Sequence, residues 1–356
     1  LFYWAPDDRT PRGGIKQIYR HVEILQRAGL DARVLHTQRG FVCGWFEHEA
    51  RLAYLGESLR RKTATRAGSF VPRISPPPDL RLRSGRRVEL EDPSGEVTNY
   101  ELGPGDVIVV PEYLGAALAD APIDLPLVVF NQNVHGTFRG LGCQYQSGCT
   151  VYTKSNVLGA MVVSEHNRRY LDYAFPSLNV HRVVNGIDAA MFHPRDAKRK
   201  HIAFMPRKQA SHLEQIINIL GERGALRGWT LVPIENMSET EVAKRLREAF
   251  VFLSTCHEEG FGLPAAEAGM SGCLVVGYTG GAAEEYFVEG LAERVDQDDI
   301  LEFAISAEKI LGLVERNEDA ALDRGRAFSA FLTERYSFAR EAESVLSAWN
   351  TLLGKV

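Results

Sequence analysis

Two glutamates eight positions apart, Glu259 and Glu267, bracket the run Gly260-Phe261-Gly262-Leu263-Pro264. An apolar strand pattern over Val251 to Ser254 stops just before this run, and Pro264 falls where the first turn of a helix tolerates a residue without an N–H. The spacing places Glu259 in the loop and Glu267 about one turn inside the helix. Gly260 and Gly262 permit close backbone approach, so main-chain N–H groups at a helix N-terminus can meet a phosphate. Two carboxylates so placed can hydrogen-bond hydroxyl groups on two parts of one ligand, with a diphosphate between them over the glycine turn. The competing reading is a plain strand-to-helix turn with Glu267 on the helix surface.

A second set is Pro206-Arg207-Lys208, directly after an apolar strand pattern over His201 to Met205. Open α/β sheets bind ligands at the carboxyl ends of their strands. Paired cations there can stabilise charge building on a departing diphosphate, and the alternative is a basic helix start facing solvent. Near the beginning, Arg12-Gly13-Gly14 lies between a strand and a helix, and Asn133-Val134-His135-Gly136 follows another strand. The cysteines Cys43, Cys143, Cys149, Cys256 and Cys273 form no CxxC pair. Neither a disulfide framework nor a zinc site is expected, and no metal ligands are assigned.

Strands and helices must position these groups. Leu1 to Ala5 reads as a strand, and Ile15, Ile18, Val22 and Leu25 share one face of a helix over Ile15 to Ala28. Gly29 ends that helix and Asp31 to Leu35 gives the next strand, a βαβ opening. The stretch from about 58 to 105 breaks the alternation with a basic cluster, Pro76-Pro77-Pro78 and short alternating runs, read as an insertion or hairpin excursion with mobile loops. Strands resume at Val107 to Val110, Pro126 to Asn131, Ala160 to Ser164 and Val180 to Val183, with a helix over Glu165 to Ala174. After a polar linker spanning Arg195 to Lys200, a second α/β series follows, with a helix over His212 to Gly221 and strands at Trp229 to Ile234, Phe250 to Ser254 and Cys273 to Gly277. From Gln297 onward the pattern is helical.

With these motifs in place, the chain resembles the retaining glycosyltransferases of family 4, whose fold is called GT-B. The resemblance is most specific over 251–290 and omits 58–105. It implies an α/β fold of two Rossmann-like domains facing across a cleft, with a C-terminal helix packing back on the N-terminal domain. The domains expected are 1–188 on the acceptor side, 189–333 for the nucleotide sugar, and the returning helix at 334–356. It further implies that Glu259 binds donor-sugar hydroxyls, Glu267 the ribose hydroxyls, and the N–H groups around Phe261 to Leu263 the sugar or diphosphate. Arg207 and Lys208 would meet donor phosphates; the family usually separates this Arg and Lys by several residues, whereas here they adjoin. Gly13 and Gly14 would lie near the donor phosphate and the acceptor, and His135 would bond the donor sugar. Asn185-Gly186-Ile187-Asp188, with Phe192 and Pro194, resembles the domain-joining turn, and Gly280-Gly281-Ala282-Ala283-Glu284-Glu285 a donor-facing loop.

The activity so implied is transfer of a sugar from a nucleoside-diphosphate sugar to a hydroxyl acceptor (glycan, lipid-linked or small-molecule glycoside) with retention of configuration. Nucleotide-sugar epimerisation on the same fold and an inactive nucleotide-sugar-binding protein are the alternatives. No metal or other cofactor is expected, since no Asp-x-Asp motif falls in a plausible donor loop. The balance of 45% hydrophobic and 24% charged residues suits a globular protein, and a net charge of −5 draws it to neither nucleic acid nor an anionic membrane as a whole. Locally, residues 51–87 carry ten Lys or Arg against two acids. That segment is either a solvated insertion or a surface for an anionic acceptor or for peripheral contact with lipid headgroups. No run suits a membrane span, no signal peptide is visible, and a cytoplasmic location is expected. The chain opens at Leu1 without a methionine, so further leading residues are expected.

Overall fold

The computed structural model describes residues 1–56, 81–143 and 150–354. The chain forms two compact units, one of residues 1–162, 168–183 and 344–356, the other of 163–167 and 184–343.

The first unit carries strands β1 (Phe2–Trp4), β2 (Arg33–His36), β3 (Leu52–Tyr54), β4 (Arg87–Glu91), β5 (Val97–Glu101), β6 (Ile108–Pro111), β7 (Leu127–Asn131), β8 (Val157–Val162) and β9 (Val180–Arg182). Their spatial order is β5-β4-β3-β2-β1-β6-β7-β8-β9. Pairing is parallel from β3 through β9 and antiparallel along β3-β4-β5. Helices are α1 (Gly13–Arg27), α2 (Ala116–Asp120) and α3 (Glu165–Ala174), of which residues 165–167 belong to the second unit. The apolar face expected of α1 is the face it buries, with Ile15, Ile18, Val22 and Leu25 all in the core. Every residue of β7 is buried, as an unbroken apolar strand inside a parallel sheet must be.

The hairpin anticipated within 58–105 is β4-β5, but it is not an excursion. It lengthens the sheet, because Ala53 pairs with Leu90 and Tyr54 with Glu89. Val88 enters the core and Leu90 packs against it, while the outermost strand β5 is largely exposed and polar, which suits an edge. The part of the basic cluster at 57–80, including Arg60 and Arg61, lies outside the described residues.

The second unit carries β10 (Arg199–Phe204), β11 (Thr230–Pro233), β12 (Ala249–Glu259), β13 (Leu274–Gly281) and β14 (Glu293–Val295), with α4 (Ala210–Glu222), α5 (Glu239–Glu248), α6 (Leu263–Met270), α7 (Ile300–Arg316) and α8 (Glu318–Arg335). This sheet is wholly parallel in the order β11-β10-β12-β13-β14. The stretch expected to be a polar linker holds a buried group. The Lys198 ammonium donates to Ala249 O and Ser271 O at 2.8 Å each and to Arg247 O at 3.1 Å, using its three protons on carbonyls where α5 and α6 end.

The returning helix is α9 (Phe338–Leu352). It begins later than the 334 expected, because Glu334 and Arg335 finish α8. Tyr336 then leaves helical geometry (φ −119°, ψ 38°): its hydroxyl donates to Glu285 at 2.8 Å and its carbonyl accepts from Ile187 N at 2.8 Å. From Ser344 onward α9 belongs to the first unit, where Trp349 is buried and its Nε1 donates to the Tyr3 hydroxyl of β1 at 2.7 Å. Among the described residues no helix is long and apolar enough to cross a membrane.

Trp349→Ala removes a buried indole and leaves the Tyr3 hydroxyl without its donor, a loss of about 3–5 kcal/mol. Urea denaturation should show this as a lowered midpoint, with Trp349→Phe intermediate. An unchanged midpoint for the alanine variant would show that the indole does not anchor α9.

Candidate active site

In both sheets the strand order reverses at one place. In the first, β1 has β2 on one side and β6 on the other; in the second, β10 lies between β11 and β12. Chains leaving the carboxyl ends of two such neighbours diverge to opposite faces and open a crevice between them. Arg207, Lys208, Glu259 and Glu267 follow the strands at the second place and Gly13-Gly14 a strand at the first, whereas His135 follows β7, one strand beyond β6.

In the second unit, β10 runs out into Pro206-Arg207-Lys208 and β12 into Glu259-Gly260. Glu259 is the last residue of β12, in register with Gly281 of β13, and so is not the loop residue expected. The strand lasts longer than Ser254 because β13 continues alongside it as far as the glycine pair. Lys208 Nζ forms an ion pair with Glu259 Oε1, the lysine side chain being 35% exposed and the glutamate 14%. Lys208 is further fixed by its carbonyl, which accepts from Thr255 Oγ1 of β12 at 3.0 Å. Burial lowers the lysine's pKa below its ordinary value; Arg207 adds to this and Cys256 opposes it. Arg207 itself is exposed, so of the adjacent cations Lys208 is the one that meets the glutamate.

The turn after Glu259 has its own support. Gly260 and Phe261 are buried, and Gly262 caps α6 in the left-handed region (φ 84°, ψ 46°) with no side-chain hydrogen bond onto the helix start. The Tyr286 hydroxyl lies 2.7 Å from Gly262 O and 3.2 Å from Phe261 O and serves both carbonyls. The Phe261 ring packs against Tyr286 and Tyr336. Leu263 opens α6, Pro264 follows it in the first turn, and Glu267 is half-buried along the helix. Gly280 lies against the Glu259 side chain and Gly281 against the His166 ring, where an added Cβ would come within 3.0 Å and 3.3 Å respectively. The glycine-rich segment therefore backs Glu259 directly.

Sequence reasoning missed three residues here. Tyr286 and Cys256 are reached only through folded contacts. His166 follows the carboxyl end of β8, a position that the sequence pattern makes visible. In the joining turn, Ile187 is buried and Asp188 Oδ1 accepts from Ala190 N at 2.8 Å.

In the first unit, Gly13 and Gly14 open α1 after β1, and Arg12 gives that helix no side-chain cap. His135 is exposed on a short 3-10 turn after β7, its N–H donating to Asn133 Oδ1 at 3.1 Å. Gln132 links the two, its Nε2 donating to Gly14 O at 2.9 Å. Among the described residues no three His, Cys, Asp or Glu side chains are grouped to hold a metal ion. Cys43, Cys256 and Cys273 are buried free thiols and Cys143 is exposed, while Cys149 lies outside the described residues.

No protein-family model matches the chain. An alpha-1,6-glucosyltransferase of Actinobacillus pleuropneumoniae serotype 7 (strain AP76) is 25% identical over 199 residues, 51% of this chain and 54% of that protein. The match thus spans about half the length of that curated relative. Among solved structures, sucrose-phosphate synthase from Thermosynechococcus elongatus matches with a TM-score of 0.65 at 13% identity, covering 100% of this chain and 99% of the other. HepE from Anabaena, in complex with UDP-glucose, matches with 0.62 at 12% identity over 98% and 99%. The pneumococcal O-GlcNAc transferase GtfA, in complex with UDP and GlcNAc, matches with 0.59 at 10% identity over 99% of each chain. The chain has the α/β GT-B fold that these glycosyltransferases share.

Gly262→Ala would put a Cβ 2.7 Å from the Tyr286 hydroxyl on a left-handed backbone. The backbone term alone costs about 1–2 kcal/mol. Thermal unfolding should show a lowered Tm, and an unchanged Tm would mean the turn adapts without Tyr286.

Proposed function

We propose that the chain is a retaining glycosyltransferase that moves a sugar from a nucleoside-diphosphate sugar to a hydroxyl acceptor on a carbohydrate or glycoconjugate. One observation carries this reading. A cation and a carboxylate, Lys208 and Glu259, meet at the carboxyl ends of adjoining parallel strands, beside a helix start that no side chain caps. The donor diphosphate would lie over Gly260-Phe261-Gly262-Leu263, where the helix N-terminus favours negative charge. Lys208 and Arg207 would stabilise the leaving diphosphate, Glu259 would hold sugar hydroxyls and Glu267 the ribose. Gly13, Gly14 and His135 of the first unit would be ligand-facing as well. A donor phosphate oxygen would take the acceptor's proton, so the proposed reaction needs no metal and no other cofactor. UDP in complexes of the fold's neighbours makes uridine nucleotides the first donors to test.

The test is a donor panel with release of free nucleoside diphosphate as the readout. Glu259→Gln and Lys208→Met should each lower turnover by about 10²–10³ with unchanged circular dichroism. Wild-type rates in either variant would remove these roles. Isomerised donor without nucleotide release would identify an epimerase, and donor binding with neither product a binding protein.

For the acceptor, the basic segment at 51–87 supports an anionic glycan or an anionic lipid surface. Charge reversal at Arg60, Arg61 and Arg86 should weaken acceptor use and flatten its salt dependence. Unaltered salt dependence would leave the segment a solvated surface.

A further inference from the structure

Glu112 follows β6, the strand beside β1 at the first sheet's reversal point, and is buried although it is a carboxylate. Its Oε2 accepts from Gln132 N at 2.9 Å, and the side chain of the same Gln132 holds Gly14 O. The two turns concerned interlock. A Cβ on Gly136 would come within 3.0 Å of Glu112 Cγ, and one on Gly115 within 2.2 Å of Arg139 O, so neither turn can shift without the other. Residues 112–115 and 132–139 thus meet around one carboxyl group, and Gln132 ties Gly14 to it at one remove.

We propose that Glu112 is a positioning residue that, through Gln132, holds the turn carrying His135 against the Gly13-Gly14 opening of α1, and does so only as the carboxylate. The assignment rests on the reading of Gly13, Gly14 and His135 as ligand-facing, and it adds a residue that does not touch ligand. An ionised carboxylate accepts the Gln132 N–H far more strongly than a protonated one does. Burial raises the pKa of Glu112 from the ordinary 4.5 to about 7, against the hydrogen bonds from the Gln132, Glu112 and Asn133 backbones and the attraction of Arg139. The other ionisable groups facing it are the Tyr113 and Tyr152 hydroxyls, which burial keeps neutral, and beyond Tyr113 stand Arg12, Asp8 and Asp7 of the β1–α1 loop. Of the positive charges among these groups, Arg139 acts on Glu112 directly and Arg12 on its neighbour Tyr113.

The sign follows from the raised value. The folded chain binds this proton more tightly than the unfolded chain, so the group's contribution to stability falls as pH climbs from about 4.5 to 7. The hydrogen bond to Gln132, in contrast, strengthens over the upper part of that range. Stability and local order therefore move in opposite directions with pH.

Hydrogen exchange of the 132–137 amides, corrected for intrinsic rates, tests this without any substrate. Between pH 8 and pH 6 the wild-type protein should lose up to roughly tenfold in protection, the change in ionised fraction across the titration. Glu112→Gln should give a flat profile and a Tm above wild type at pH 8, the gap closing toward pH 5. Pre-steady-state or steady-state kcat/KM should lose an acid limb near pH 7 in the same variant. Wild-type protection that is flat with pH, or a variant that keeps the wild-type pH dependence, overturns the proposal; the wild-type arm decides even if the variant fails to fold. Absence of nucleotide-sugar turnover counts against the transferase reading alone, because the exchange measurement does not depend on it.

Discussion

Lys208 and Glu259 meet because two neighbouring parallel strands release their chains in opposite directions at one end. β10 hands its chain to α4 and β12 hands its chain to α6, so the carboxyl ends of both strands face a space that neither helix fills. In this protein a lysine from the segment after β10 and the last glutamate of β12 meet there, and each supplies the charge that the other's partial burial demands. The first unit repeats the geometry with different residues. β1 delivers a glycine pair and β6 delivers Glu112, and again the reversal of strand order sets the position.

On the proposed reading this pairing also orders events. While the site is empty the ammonium and carboxylate satisfy one another. A diphosphate that draws Lys208 toward it leaves Glu259 to hydroxyl groups, so the anionic and sugar portions of a donor are recognised together rather than one at a time. Tyr286 takes no part in that exchange but keeps the carbonyls of Phe261 and Gly262 turned toward itself, which holds the glycine turn in one shape.

Much of the fold is legible in the sequence. The apolar spacing of Ile15, Ile18, Val22 and Leu25 identified the buried face of α1, and uninterrupted apolar runs marked the central strands. The spacing from Glu259 to Glu267 survived because a turn and the start of a helix are local structures, set by the glycines and Pro264. What escaped depends on contacts between residues far apart in sequence. Glu259 belongs to a strand only because Gly281 runs beside it. The hairpin β4-β5 looked detachable because nothing in its own residues reveals the register with β3. Lys198 resembled a linker lysine, since its carbonyl partners lie 48 or more positions away. Nothing in the sequence singles out Glu112, because the residues that enclose it, Gln132 and Gly136, lie 20 or more positions away.

Lys198 has a consequence at a distance. Its ammonium grips the carbonyl of Ser271, just past the end of α6, whereas at the other end of that helix Gly262 provides no side-chain cap. The helix is tethered by its tail and capped by no side chain at its head. Positive charge at the tail complements the peptide dipoles there, and the dipoles' unpaired positive pole stays directed at the glycine turn. A residue without contact to that turn thereby fixes the electrical footing on which an incoming anion would land, and a neutral group in its place would slacken the helix from behind.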